Sequence, residues 1–370
     1  MTRLIVILLA LTSNLMNSAT ARESEGWSLA SKMIPIPAGA SESLQNSLLS
    51  IDQPDVALRK SQSPTSLEDW NQLIAERANT RNVPLKQVEK MMDVRIKKDL
   101  IDGIKVYWIT PNKIAEAHKD HIMLYVHGGA YVFGGGDASV SEAAIIANSS
   151  GITALSIDYR MPPDYPFPQA IDDTVRVYRE ILKEYKPSAI ALGGTSAGGG
   201  LALATTHQLK SLGLPVTGAI YAGTPWADLT KTGDTMFTNE GLDRVLVTYH
   251  GTLEGAALLY ANDQDLKSPL LSPVYGDFIN FPPTILVTGT RDMFLSDTAR
   301  THQKIRASGG TADLLVFEGL SHAGYLFDLA SPESRQTYQE ISDFLNSMGI
   351  KTPKGKDYYP NLIWVTLKKY

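Results

Sequence analysis

Three residue types in this chain could together break an acyl bond: a serine in a tight turn, a histidine after one strand and an aspartate after another. The serine lies in "LGGTSAGGG", directly behind the apolar run Ala189-Ile190-Ala191-Leu192 and opening a helical stretch. It is the centre of Gly194-Thr195-Ser196-Ala197-Gly198, a G-x-S-x-G pentapeptide. A chain this long shows that pattern by chance roughly one time in eight, so its setting between strand and helix carries the weight. Flanking glycines remove the side chains that would collide with a strained turn, and the helix start brings backbone N–H groups beside the hydroxyl. A serine hydroxyl is a poor nucleophile without a base that is itself oriented by an acid. Asp292 in "TGTRD" and His322 in "EGLSHAGY" each follow an apolar strand-like run, so in a parallel sheet both emerge at the carboxyl edge with Ser196. His118 and His121 sit at the wrong end of their strand, His207 and His302 within helices, and His250 in an irregular stretch. Asp297, the rival acid, falls on the helix after Asp292.

A second cluster, "HGGAYVFGGG" at 127–136, stops the apolar run Ile122 to Val126 with five glycines in ten positions. A flexible turn, a phosphate cradle and a ring of amides facing a developing anion compete to explain it. The phosphate reading fails on spacing, since neither cluster fits G-x-G-x-x-G or G-x-x-x-x-G-K-[ST]. An acyl-transfer oxyanion needs N–H donors fixed before reaction, and losing one costs about 2.7–4 kcal/mol. The amides of Gly128, Gly129 and Ala197 are therefore assigned to such a hole. Tyr131, Phe133, Trp226 and Tyr325 are the candidate pocket-lining residues, each competing with ordinary core packing.

Positioning these groups requires an alternating scaffold. Strands are predicted at 94–98, 104–109, 121–126, 152–157, 188–192, 216–221, 284–288 and 312–317, the first two turning at Asp102-Gly103. Helices are predicted near 138–149, 169–184, 198–210, 296–307 and 333–347. This order implies an α/β fold with a mostly parallel eight-stranded sheet covered on both faces. Upstream, Thr65 to Glu68 fits a capping box, with Leu67, Trp70, Leu73 and Ile74 at helical spacing behind it. Pro84 opens a second helix with Leu85, Val88 and Met91 as its stripe. The irregular stretch 226–280 interrupts the alternation and should fold over one end of the sheet.

The 370 residues are 43% hydrophobic and 20% charged, an ordinary globular composition. A net charge of −5 argues against nucleic acid and anionic membrane as partners. With no cysteine, disulfides, thiolate metal sites and a cysteine nucleophile are excluded. Arg3, the apolar run Leu4 to Leu11 and Ala19-Thr20-Ala21 read as a signal peptide over 1–21, which places the protein in the periplasm or outside the cell. The run is too short to span a bilayer, so no stable membrane insertion is expected. The role of the tail 351–370 does not follow from its residues.

Taken in order, "HGGAYVFGGG", "DYRMPPDYPFPQAIDD", "GTSAGGG", "RDMFLSD" and "SHAGY" resemble the bacterial hormone-sensitive-lipase-like family of α/β-hydrolases across residues 95–348. Ser…Asp…His is also the chain order of the α/β-hydrolase triad. The resemblance implies an α/β-hydrolase core over 93–350 and a small helical cap built from 22–92 and the insertion 226–280. It implies carboxylic-ester hydrolysis, no cofactor and no metal, and carries the triad onto Ser196, Asp292 and His322 and the hole onto Gly128, Gly129 and Ala197. The "DYRMPP" segment is expected to brace the site beneath the oxyanion loop. Ala130 stands where the family usually has a third glycine, and Thr195 marks the G-T-S-A-G branch. A small ester is the implied partner; "SPVYGDF" before "PPTILVTG" looks most like members that open small lactones. A homodimer is compatible with these features. Two other functions compete: a non-catalytic ligand-binding protein on a hydrolase fold, disfavoured because His322 is retained, and an acyltransferase or amidase on the same triad.

Overall fold

The computed structural model describes residues 31, 33–81 and 83–347. The expected signal peptide and the tail 351–370 lie outside the described residues. The chain divides into two units at Ile36–Pro37, and the described part of the first holds no helix or strand.

The second unit begins with four helices, α1 (Glu42–Leu49), α2 (Val56–Ser61), α3 (Leu67–Arg81) and α4 (Leu85–Met92). Eight strands follow: β1 (Val94–Ile101), β2 (Ile104–Pro111), β3 (Ile122–Val126), β4 (Thr153–Asp158), β5 (Ile190–Thr195), β6 (Ala219–Gly223), β7 (Thr284–Gly289) and β8 (Ala312–Phe317). The helices set among and after them are α5 (Ser141–Ser150), α6 (Gln169–Ile181), α7 (Ala197–Ser211), α8 (Thr235–Thr238), α9 (Thr252–Ala261), α10 (Leu295–Ala307) and α11 (Pro332–Asn346).

The sheet order is β1-β2-β4-β3-β5-β6-β7-β8. The pairs β1–β2 and β2–β4 are antiparallel, and every other neighbouring pair is parallel. β1 and β2 turn through Asp102 (φ 48°) and Gly103 (φ 78°), the two left-handed positions of a tight hairpin. β3, β5, β6 and β7 are buried along their whole length, which is why they read as unbroken apolar runs.

Several boundaries move. β5 starts at Ile190 because Pro187–Ala189 forms a 3₁₀ turn, and it runs on through Gly193 and Gly194 to Thr195. A side chain on Gly193 would strike the Tyr221 backbone in β6, so the glycines belong to the strand and let it pack. The capping box is one residue later than expected: Ser66 Oγ accepts from Asp69 N (3.1 Å) and Asp69 accepts from the amides of Thr65 and Ser66 (3.0 Å each). In α3, Trp70 is buried while Leu67 is exposed; in α4, Val88 is buried while Met91 is exposed. Trp70 packs with Val132, Phe133 and Ala256, so α3, the glycine loop and α9 of the insertion share one apolar cluster beside the sheet's carboxyl edge.

Candidate active site

Ser196 sits where β5 ends and α7 begins, at φ 64° and ψ −124°. A non-glycine residue in that region stores roughly 1–3 kcal/mol of strain and persists only where neighbours over-determine it. The neighbours here are close. A Cβ on Gly194 or on Gly198 would collide with the Val126 carbonyl oxygen of β3, which explains both glycines of the pentapeptide. Ser196 N donates to Gly223 O (2.8 Å) and Trp226 N donates to Ser196 O (3.0 Å), pinning the turn from β6 and the segment after it.

His322, between β8 and α11, places Nε2 2.8 Å from Ser196 Oγ, and its Nδ1 lies 3.1 Å from Asp292 Oδ1. Asp292 Oδ1 also accepts from Phe294 N (2.8 Å), and Oδ2 accepts from Thr288 Oγ1 (2.8 Å). A carboxylate held by those donors accepts from Nδ1–H, so Nε2 is the basic nitrogen facing the serine hydroxyl. Asp292 and His322 are buried and Ser196 is partly exposed, leaving the hydroxyl as the group open to a ligand. Asp297 is on α10, buried, with Oδ2 accepting from Asp228 N (3.1 Å), and makes no hydrogen bond to His322.

The glycine loop lies against this turn. A Cβ on Gly128 would meet Thr195 O at 2.6 Å and Ser196 Cβ at 3.3 Å. Among the described residues nothing accepts from the amides of Gly128 and Gly129, and Ala197 opens α7, where a helix leaves its first N–H groups unpaired. Ala130 (φ 53°) and Tyr131 (φ 63°) follow Gly129 in the left-handed region, so the alanine occupies a glycine-like conformation. Tyr131 is held there by stacking on Tyr260 of α9, with ring centroids 3.9 Å apart. From below, Tyr159 stacks on His127 (4.2 Å) and donates to His127 O (2.8 Å). Asp158 accepts from Gly136 N (2.8 Å), and Arg160 is held bidentately by buried Asp173. Asp158 and Tyr159 thus brace the loop, and Arg160 ties their segment to α6.

A cavity of about 420 Å³ opens over Ser196 and His322. Gly128, Gly129, Phe133, Leu246, Leu253 and Leu326 line it, with Arg59 and Arg77 also on its wall. Of the four expected pocket residues only Phe133 is on that wall. Tyr131, Trp226 and Tyr325 are fully buried behind it: Tyr131 against Tyr260, Trp226 stacked on Phe294 (5.5 Å), and Tyr325 bonded to Thr195 and Tyr221 (3.0 Å each). Their size and apolar surface filled the core rather than the cleft.

Two buried carboxylates near the site had no signal in the sequence. Glu142 of α5 accepts from Thr195 Oγ1 (2.7 Å), Tyr221 OH (2.7 Å) and Tyr125 OH (2.5 Å) directly behind the serine turn. Burial pushes its carboxyl upward against those three hydrogen bonds. Asp243, in the insertion, accepts from Met293 N (2.9 Å), beside Asp292; burial and then the Asp292 charge push it up to about 6. Only a burial pattern visible in three dimensions separates these two from surface carboxylates. Among the described residues no cluster of His, Asp or Glu could hold a metal ion, and no helix is long and apolar enough to cross a membrane.

Residues 123–326 match a family model described as alpha/beta hydrolase fold. An acetyl-hydrolase of Streptomyces hygroscopicus is 29% identical over 248 residues, 66% of this chain and 82% of the relative. An esterase of Acinetobacter venetianus is 26% identical over 237 residues, 64% of this chain and 78% of the relative. Among solved structures, the esterase E25 aligns with a TM-score of 0.83 at 41% identity, covering 87% of this chain and 99% of that one. An esterase from the bacterial hormone-sensitive lipase family aligns at 0.65 and 32% identity, covering 76% and 97%. With a strained serine turn, a glycine loop and an ordered Ser…Asp…His set on an eight-stranded sheet, this chain belongs to the α/β-hydrolase family, in its bacterial hormone-sensitive-lipase-like branch.

Proposed function

We propose that the protein hydrolyses carboxylic esters of short to medium acyl chains through Ser196, His322 and Asp292. The observation that carries this reading is the unbroken contact path from Ser196 Oγ to His322 Nε2 (2.8 Å) and from His322 Nδ1 to Asp292 Oδ1 (3.1 Å), at the floor of a largely apolar cavity. His322 takes the Ser196 proton as Oγ attacks the ester carbonyl carbon. Asp292 keeps the imidazole in the useful tautomer and stabilises the imidazolium. The amides of Gly128, Gly129 and Ala197 receive the oxyanion. His322 then protonates the departing alcohol and activates the water that clears the acyl-enzyme.

The cavity volume and its Phe133, Leu246 and Leu253 wall support acyl groups of modest length. A small lactone suits the same chemistry, because its ring-opened alcohol stays attached to the acyl group until water attacks. The arginine-flanked apolar run and A-x-A signal within residues 1–21 support export to the periplasm or medium. A panel of p-nitrophenyl esters and simple lactones, assayed on the wild type and on Ser196→Ala, tests the reading. The variant should lose at least about 10³-fold in kcat, since the three groups work as a unit. Comparable turnover by the variant would remove Ser196 from the mechanism.

A further inference from the structure

The insertion between β6 and β7 does more than cover the cavity. Its segment Asn239–Arg244 lies across the two loops that carry Asp292 and His322 and is bonded to both. Asn239 Nδ2 donates to Asp292 O (2.8 Å) and Thr290 O (3.2 Å). Asp243 Oδ2 accepts from Met293 N (2.9 Å), and its carboxylate faces His322 N at 3.4 Å from each oxygen. Arg244 N donates to Ser321 Oγ (3.1 Å). Asp243 Oδ1 also accepts from Val245 N (2.9 Å) and Leu246 N (3.2 Å), locking the segment's own turn. We infer that Asp243 is a positioning residue that splints the acid and base loops together through its ionised carboxylate. This rests on the Ser196–His322–Asp292 reading above.

The charge state follows from the donors. Each Asp243 oxygen faces backbone N–H groups, and neither faces an acceptor among the described residues. A protonated carboxyl, or an asparagine, would turn an N–H or O–H against one of those donors and leave that amide unpaired. The residue is fully buried, so no solvent makes up the loss. The charged groups facing it are Asp292 and His322 across the interface and Arg244 beside it, with Arg291 acting on Arg244. Burial and the Asp292 carboxylate push its pKa up to about 6, and the His322 base must also be unprotonated to act. Both protonations remove activity: one takes away the base, the other loosens the pair of loops that aims it. The segment is tied in turn to the N-terminal helices, since Arg244 Nη1 donates to Ser47 O (2.6 Å) and Lys60 pairs with Glu240 (3.2 Å). The N-terminal helices are thereby bonded, through this segment, to the loop that carries His322.

The test compares wild type, Asp243→Asn and Asn239→Ala, with Ser196→Ala as the control for the underlying reading. Initial rates on p-nitrophenyl butyrate are measured across pH 4.5–8.5, and each sample is returned to about pH 8 to confirm that the acid loss reverses. For the wild type, log kcat/KM should fall on the acid side with a limiting slope approaching two, one proton for His322 and one for Asp243. Asp243→Asn should show a slope of one and kcat reduced by up to roughly 100-fold. Asn239→Ala, which loses two hydrogen bonds and no charge, should lower kcat and keep the wild-type slope. If Asp243→Asn keeps the wild-type slope and kcat while Ser196→Ala is inactive, the splint is wrong and the triad stands. If Ser196→Ala is active, the triad reading itself has failed. A melting temperature within a few degrees of wild type shows that the variant is folded; if Asp243→Asn melts far lower, the wild-type slope decides alone, and a slope of one there overturns the proposal.

Discussion

Replacing Asp292 by asparagine should cost this protein less than the same change costs a triad whose histidine tautomer reverses. Asp292 Oδ1 accepts from His322 Nδ1 and Phe294 N, while Oδ2 accepts from the Thr288 hydroxyl. An asparagine oxygen in the Oδ1 place keeps two of those bonds, and its NH₂ then faces a hydroxyl that can rotate to accept. The flipped amide would let His322 swap tautomers but would set its NH₂ against the Phe294 N–H and leave that amide unpaired, at about 1–3 kcal/mol. The first orientation therefore dominates by about 5- to 150-fold, and the Nδ1–H tautomer survives. What is lost is the charge beside the imidazolium formed during reaction, a charge-assisted hydrogen bond worth about 1.5–3 kcal/mol. At about 1.4 kcal/mol per factor of ten, kcat should fall about 10- to 150-fold. Tautomer reversal elsewhere costs about 10⁴. Steady-state hydrolysis of p-nitrophenyl butyrate measures this directly. A further loss should appear when Thr288→Val is added, because the amide NH₂ then faces a methyl group and is left without an acceptor. An Asp292→Asn variant as inactive as Ser196→Ala, with Thr288→Val adding nothing, would refute the argument.

The wall and the core should differ in whether substitution reaches KM. Phe133→Ala should raise KM for p-nitrophenyl butyrate and also lower the melting temperature, since Phe133 both lines the cavity and packs with Trp70, Val132 and Ala256. Trp226→Ala should cost about 3–5 kcal/mol in urea unfolding, because the side chain is fully buried; an unchanged unfolding midpoint would contradict its place behind the wall. His207 donates from Nε2 to Pro273 O (3.0 Å), and burial pushes it down to about 4 from 6.5. The unfolded chain thus binds this proton first, so the stability it contributes is present above about pH 6.5 and is lost as pH falls toward 4, by up to roughly 3 kcal/mol. The urea midpoint of His207→Gln should therefore depend less on pH over that interval than the wild type's, and equal slopes would contradict it.

The three catalytic candidates were legible because their signal is local: each follows a strand, and strands with both faces buried announce themselves as apolar runs. The glycines at 194 and 198 were legible for the same reason, as only a close backbone approach explains them. The pocket was legible only at Phe133. An aromatic side chain carries no mark of whether its partner is a ligand or another ring, and Tyr131 found Tyr260 in an insertion read as irregular. Asp243 and Glu142 were invisible for a related reason. A lone carboxylate in a polar stretch has the same appearance whether it meets water or four backbone amides, and two of the amides that face Asp243 come from residues 50 and 79 positions away.

The central claim is that Ser196 is an activated nucleophile, and covalent capture tests it most directly. A serine-reactive fluorophosphonate, followed by intact-mass measurement and peptide mapping, should add one probe per chain on the peptide holding Ser196. Ser196→Ala should take up none, and His322→Ala should react far more slowly. An adduct on another residue, or none at all on folded wild-type protein, would contradict the account.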